Sequence, residues 1–378
     1  MLERVATSSA TCATEDALSP RPVRSGGQGS AFEQPLSTGD PRDSVSGGVT
    51  VEIGIDGVLV GHVTDRSHGT GCTAVLVPRG ATASVDVRGG APGSRESDIL
   101  SPNSSVSEVH GVLLSGGSAF GLAAADGVVR FLEERGFGYQ TPYCRVPLVA
   151  GAVIYDLGLG HAHMRPRPED GYQAAAAASA TVEEGSVGVG TGATVGKILG
   201  EEGWMKGGFG VAGLRLPGGA TVVALTVVNA FGDVLAEDGT ILAGARSGGL
   251  GPAEVREGAA SREGRFLDTH QHLLALEGHP RFGARAENTT LSVVITDARM
   301  DKIECYQVAR MAHDGYARAV RPVHTPVDGD TVYVLSAGSR SASVFQLGSA
   351  AADVAARSIR RAVRLAEGLH GVPALQDL

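Results

Sequence analysis

The chain has 378 residues, enough for one large domain or two ordinary ones with ample core. A hydrophobic fraction of 42% with 19% charged residues describes a soluble globular protein. The net charge of −9 argues against a phosphate-backbone partner, and aromatic residues at 4% disfavour base-stacking platforms, so no nucleic acid is expected.

Residues 1 to about 48 are rich in Ser, Gly, Pro and Thr without apolar period, which predicts a disordered tail. That stretch shows no basic head followed by an apolar segment, and no run in the chain is long enough to cross a bilayer. Cys12, Cys72, Cys144 and Cys305 lie far apart with no C-x-x-C spacing and read as isolated thiols. A cytoplasmic protein without a membrane segment is the expectation.

Strand signals begin at "VTVEIG" (Val49 to Gly54) and continue in "GVLVGHV", "TAVLVP" and "TASVDVRGG". "GVLLSGGSAFGLAAADGVVRFLEERG" predicts a buried strand, a glycine turn and a helix ending at Gly136, with Leu122, Ala125, Val129 and Leu132 on one side. "GYQAAAAASATVEE" predicts a second helix. The glycine-rich "GSVGVGTGATVGKILG" and a strand in "TVVALTVVNAFGD" follow. Residues 240 to 287 hold turn signals and little period, as a mobile connection would.

In "AENTTLSVVITDARM", Leu291, Val293 and Ile295 alternate with Ser292, Val294 and Thr296, which predicts a largely buried strand. Asp301 and Glu304 then form a capping box, the apolar line runs Cys305, Val308, Ala312, Tyr316, and Pro322 follows the helix end. "HTPVDGD" is a turn into the strand "TVYVLSA", and "QLGSAAADVAARSIRRAVRLAEGL" is a last helix. The whole is mixed α and β without the regular alternation of a doubly wound sheet.

Several motifs invite chemistry. "GVGTGATVGK" fails as a phosphate loop, because Thr191 stands where a glycine belongs and Ile198 where the magnesium-holding Ser or Thr belongs. Its plain reading is a loop of close backbone packing, although a buried Lys197 would still need a partner. "GGSAFG" misses the nucleophile-elbow pattern in both registers, leaving Ser118 as a helix cap. The pairs His161, His163 and His270, His272 lack metal-ligand spacing, so no metal is expected. Asp328 and Asp330 suit a tight turn, yet two carboxylates two residues apart on extended chain face the same way. Asn288–Thr289–Thr290 and Asn103–Ser105 match a glycosylation pattern that requires secretion, which the cytoplasmic reading removes. A cut before Thr289, freeing its α-amine, is the remaining chemical reading of the first.

Six segments together resemble one family: "GVLLSGGSAFGLAAADGVVRFLEERG", "VPLVAGAVIYDL", "GVGTGATVGK", "VVNAFGD", "NTTLSVVITDA" and "MAHDGYARAVRPVHTPVDGDTV". They look like the L-aminopeptidase/D-esterase (DmpA-like) peptidases and the related nylon-oligomer hydrolases, in the same order from about residue 50 to the C-terminus. The resemblance implies an α+β fold, a four-layer α/β/β/α sandwich of the DmpA and ornithine acetyltransferase type, like that of N-terminal-nucleophile hydrolases. It implies self-cleavage between Asn288 and Thr289, giving an α-chain part (49–288) and a β-chain part (289–378) of one domain.

By the same resemblance Thr289 is the nucleophile, and Lys197, Asp328 and Asp330 surround it. Asn229 and Tyr155 would donate to the developing oxyanion, where one such donor is worth about 3 to 4 kcal/mol. A threonine hydroxyl is a weak nucleophile until a base takes its proton, and a free α-amine on the same residue can do so. Thr at the cleaved position, Lys197 and the Asp-Gly-Asp turn resemble the nylon-oligomer hydrolases more than the serine aminopeptidases. The expectation is a cofactor-free amidohydrolase of small amides or peptides, assembled as a tetramer of cleaved pairs. An ornithine acetyltransferase-like acyltransferase and a non-cleaving glycine-loop ligand-binding protein are the alternatives.

Overall fold

A computed structural model describes residues 49–247, 265–277 and 288–378. The tail expected over residues 1–48 lies outside the described residues, as does most of the connection expected over 240–287. Eight strands carry the architecture: β1 (Leu59–Asp65), β2 (Thr70–Val87), β3 (Glu108–Ser115), β4 (Val149–Val153), β5 (Gly208–Arg215), β6 (Thr221–Asn229), β7 (Thr289–Ala298) and β8 (Thr331–Arg340). The helices are α1 (Ala124–Glu133), α2 (Pro168–Ala176), the short α3 (Thr269–Ala275), α4 (Lys302–Ala319) and α5 (Val344–Arg364).

β2 is the hinge of the fold. Its first half pairs with β1 and β3, its last residues, Thr82 to Val87, pair with β8, and the register breaks between Leu76 and Ala81. The two segments read from the sequence as separate strands are therefore one. Hydrogen bonds run in the order β5-β6-β7-β8-β2-β3-β4, with β1 also on β2, and the ladder folds into two stacked layers.

Strand alternation decides which layer each side chain meets. Val75, Val112, Leu114 and Ala152 from one layer face Val223, Leu225, Leu291, Val293, Ile295, Tyr333 and Leu335 from the other. The intervening residues point outward to helices. Cys72, Ala74, Leu76 and Leu113 pack on α1 and α2, while Val222, Ala224, Val294, Val332 and Val334 pack on α4 and α5. The result is the expected helix, sheet, sheet, helix sandwich.

On α4 the capping box forms as expected, with Glu304 N–H donating to Asp301 at 2.8 Å and Asp301 N–H to Glu304 at 2.9 Å. Cys305, Val308, Ala312 and Tyr316 are all buried. Two local expectations fail. The Ala-rich helix stops at Ala176, because Ser179 joins β1 through a backbone bond to Val60 and Thr181–Glu183 pairs with Thr50–Glu52. Ser118 is no side-chain cap: it opens a 3-10 turn at φ +54°, and Asp156 Oδ1 instead takes the N–H of Gly117 at 2.7 Å.

α5 lies close on β5 because glycine leaves it room. A Cβ at Gly210 would meet the Ser358 carbonyl and the Ala362 N–H, both backbone atoms of α5. Gly210→Val should therefore lower stability by about 3 kcal/mol through overpacking. Urea denaturation measures it, and an unchanged midpoint would mean that the helix retreats without loss.

Candidate active site

β7 runs antiparallel to β6 on one side and parallel to β8 on the other. The register sets Thr289 opposite Asn229, and an isolated parallel bridge sets Asn288 beside Asp328. The first residues of β7 thus lie between the end of β6 and the turn that opens β8. Asn229, Asn288, Thr289, Asp328 and Asp330 are all buried there.

Thr289 Oγ donates to the Asn288 carbonyl at 2.5 Å. The same carbonyl oxygen accepts the N–H of Gly329 at 2.8 Å. Asp330 grips the next residue, with Oδ1 accepting the Thr290 N–H at 2.8 Å. Its Oδ2 accepts the His324 N–H at 3.0 Å and lies 2.8 Å from His324 Nδ1. Asp328 accepts from Thr325 Oγ at 2.5 Å, from the Thr325 N–H at 3.0 Å and from the Phe231 N–H at 3.3 Å. Burial pushes the Asp328 carboxyl up to about 6, and the neighbouring Asp330 charge adds to the rise.

Lys197 reaches this cluster from the glycine loop. Its backbone N–H bonds Phe231, and its ammonium donates to Asn229 Oδ1 at 2.8 Å and to the Asn229 carbonyl at 3.4 Å. The ammonium also lies 5.6 Å from the centre of the Trp204 ring. Asn229 Oδ1 takes the Thr194 N–H at 3.0 Å as well, and its Nδ2 donates to the Tyr155 backbone carbonyl at 3.1 Å. All seven residues that the resemblance assigned to the site converge here. Tyr155 makes this contact with Asn229 through its carbonyl rather than its phenol.

The loop that carries Lys197 has its amides bound inside the protein. Gly188 N–H donates to Thr64 Oγ, Val189 N–H to Thr73 Oγ and Gly196 N–H to the Gly232 carbonyl. A phosphate cradle would turn such donors toward a ligand. Beneath the loop, the fully buried Lys206 donates to the carbonyls of Thr191 and Ala193, each at 2.7 Å. Among the described residues no group of three or more His, Cys, Asp or Glu side chains gathers to hold a metal ion.

A profile of peptidase family S58 matches residues 53–375. The chain belongs to peptidase family S58. An uncharacterized aminopeptidase of Mycobacterium leprae (strain TN) is 40% identical over 357 residues, covering 84% of this chain and 91% of its own. A 6-aminohexanoate-oligomer endohydrolase of Kocuria sp. (strain KY2) is 30% identical over 292 residues, covering 77% of this chain and 76% of its own. Among solved structures, the L-aminopeptidase D-Ala-esterase/amidase of Ochrobactrum anthropi, described as a variant of the Ntn-hydrolase fold, superposes with a TM-score of 0.61. It is 20% identical and covers 85% of this chain and 89% of that one. A Burkholderia sp. β-aminopeptidase gives a TM-score of 0.60 at 21% identity, covering 88% and 93%. This S58 member is accordingly an amide or peptide hydrolase, and the ligand-binding alternative falls.

Sequence reasoning missed Thr325 and His324 as parts of this candidate site and gave Gly329 no role beyond the Asp-Gly-Asp turn. The turn chemistry of "HTPVDGD" already accounted for their residue types, so no separate signal stood out. A Cβ at Gly329 would lie 2.7 Å from Thr289 Oγ and 2.9 Å from the Ala91 carbonyl. Gly329→Ala should lower the rate on an amino-acid anilide by about 10- to 100-fold while the protein stays folded. A wild-type rate with unchanged circular dichroism would show that Thr289 is not crowded.

Proposed function

We propose that this hydrolase is made as a precursor, cuts itself between Asn288 and Thr289, and then uses Thr289 as an N-terminal nucleophile. One observation carries the reading: the Thr289 hydroxyl touches the Asn288 carbonyl, whose oxygen is held from another side by the Gly329 N–H. That carbonyl is polarised next to its attacker.

In the cut, Thr289 Oγ bonds to the Asn288 carbonyl carbon and its proton passes to the departing Thr289 nitrogen, giving an ester and a free amine. Water then cleaves the ester, leaving the Asn288 carboxylate and the Thr289 hydroxyl. In turnover the free α-amine takes the hydroxyl proton as Oγ attacks a substrate amide. The substrate's amine leaves with a proton, and water releases the acyl group. Lys197, held on Asn229, supplies a fixed positive charge beside the developing oxyanion, and Asn229 and Tyr155 complete its surroundings. Asp328 and Asp330 hold the opening of β8 and the Thr290 amide in register.

The relatives named as aminopeptidases and as 6-aminohexanoate-oligomer endohydrolases support small peptides, amino-acid amides or amide oligomers as substrates. We place the enzyme in the cytoplasm, as a tetramer of cleaved pairs. No helix among the described residues is long and apolar enough to cross a membrane.

Purified enzyme should give a fragment of about 9 kDa beginning at Thr289 beside one of about 29 kDa, apportioned by residue count. Thr289→Ala should stop both cutting and amide hydrolysis, whereas Thr289→Ser should retain some of each. Intact mass spectrometry and an anilide assay read the two effects. A fully active single chain, or an alanine variant at the wild-type rate, would place the nucleophile elsewhere. Lys197→Met should impair cutting and reduce turnover by about 100-fold or more. Near-wild-type values with intact folding would remove Lys197 from the chemistry.

A further inference from the structure

His324 stands in the turn before β8 with a backbone that L-residues rarely adopt, at φ +56°. A β-carbon at such an angle is strained, and strain of this kind persists where the surroundings fix it. Here two donors of one residue meet one carboxylate oxygen. The backbone N–H and the ring Nδ1 of His324 both reach Asp330 Oδ2, at 3.0 and 2.8 Å. Both donors thus grip one oxygen from a residue held in the left-handed region.

The far side of the ring is equally constrained. His313 from α4 stands edge-on at 4.7 Å between ring centres, and Tyr316 from the same helix lies at 5.8 Å. His313 is itself fixed by Nε2 on the Asp86 carbonyl at 3.1 Å, and Asp86 pairs with Arg88 at 2.9 Å. Burial lowers His313 to about 4, so it stays neutral and packs as a ring. The Tyr316 hydroxyl in turn lies 2.9 Å from Ser292 Oγ, 3.1 Å from the Thr331 carbonyl and 3.3 Å from the Thr290 carbonyl. The groups facing His324 are thus Asp330 from the turn and His313 and Tyr316 from α4, and behind His313 stand Asp86, at the end of β2, and Arg88 just beyond it.

We infer that His324 is a positioning residue for the nucleophile: its Nδ1–H and N–H fix Asp330 Oδ2 so that Oδ1 holds the Thr290 N–H and, through it, the backbone of Thr289. Asp330 is buried, so a carboxylate rotated away from Thr290 would leave that amide without its acceptor. His324 touches neither the scissile bond nor Thr289 in these contacts. It acts on the reaction only through Asp330, and the inference rests on the reading of Thr289 as nucleophile.

Three substitutions separate the side-chain bond from the strain. His324→Gly relieves the positive φ and keeps the backbone N–H, but removes the ring donor. His324→Asn tolerates the same φ and offers an amide N–H near the position of Nδ1. His324→Gln offers its amide farther out, near Nε2. Self-cleavage rate and the kcat and KM for an amino-acid anilide are measured for each, with Thr289→Ala in the same series.

Cutting and kcat should fall about tenfold or more in the Gly and Gln variants, with KM changed less than about threefold, and should return close to wild type in the Asn variant. Wild-type cutting and kcat in the Gly variant, or an Asn variant as slow as the Gly one, would overturn the inference. If the Gly variant does not fold, Asn and Gln decide: equal rates for the two overturn it, and a faster Asn variant supports it. An active Thr289→Ala protein sinks the nucleophile itself, whereas an inactive one beside a wild-type-like Gly variant sinks only the role of His324.

Discussion

The candidate site rests on one register. β7 pairs antiparallel with β6 and parallel with β8, so its first residue stands between the last residue of one neighbour and the opening turn of the other. No loop has to reach in to bring Asn229 to Thr289, because they are cross-strand partners. A slip of one residue would turn Thr289 to the opposite face of the sheet and break the contact with Gly329 as well. The register is in turn fixed by alternation, since Leu291, Val293 and Ile295 fill the space between the sheets while Ser292 bonds Thr226 Oγ and the Tyr316 hydroxyl on the helix side.

Around that register the protein keeps charge buried and occupied. Lys206 is lowered to about 7 by burial, partly offset by Asp156, and Asp156 is raised to about 6 by burial despite its donors Gly117 and Thr70. These two groups tie down the glycine-rich turns at 116–121 and 188–197. A Cβ at Gly116 or at Gly192 would run into the Asp156 side chain. Both turns looked in sequence like imperfect ligand-binding motifs, a nucleophile elbow and a phosphate loop. Their glycines make room for an internal carboxylate, and their amides are bound by internal acceptors.

Local pattern carried the reading of β7 through its alternation, α4 through its capping box and apolar line, and β8 through the turn before it. It failed where a distant partner overruled propensity: the alanine run leaves its helix to pair with β1, and Ser118 yields its capping role to Asp156. The site followed the same division. Thr289 and the Asp-Gly-Asp turn stood out in their own segments, whereas the meeting of Lys197 with Asn229 was visible only through the resemblance. His324 and Thr325 escaped both routes, since a polar residue in a turn needs no further explanation until its bond to Asp330 or Asp328 is seen.

The placement of β7 and β8 between the outer strands has a consequence for the life of the molecule. Residues 289–378 supply two strands of one sheet and both helices that cover it, yet β5, β6 and the end of β2 come from the preceding part. Neither portion closes a core by itself. If the chain is severed before Thr289 as proposed, the folded molecule keeps its strand pairing, but once unfolded it must reassemble from two separate molecules. Its recovery then depends on dilution, where the parent chain's did not. Severing turns a fold that is reached by a unimolecular search into one retained by the height of its unfolding barrier.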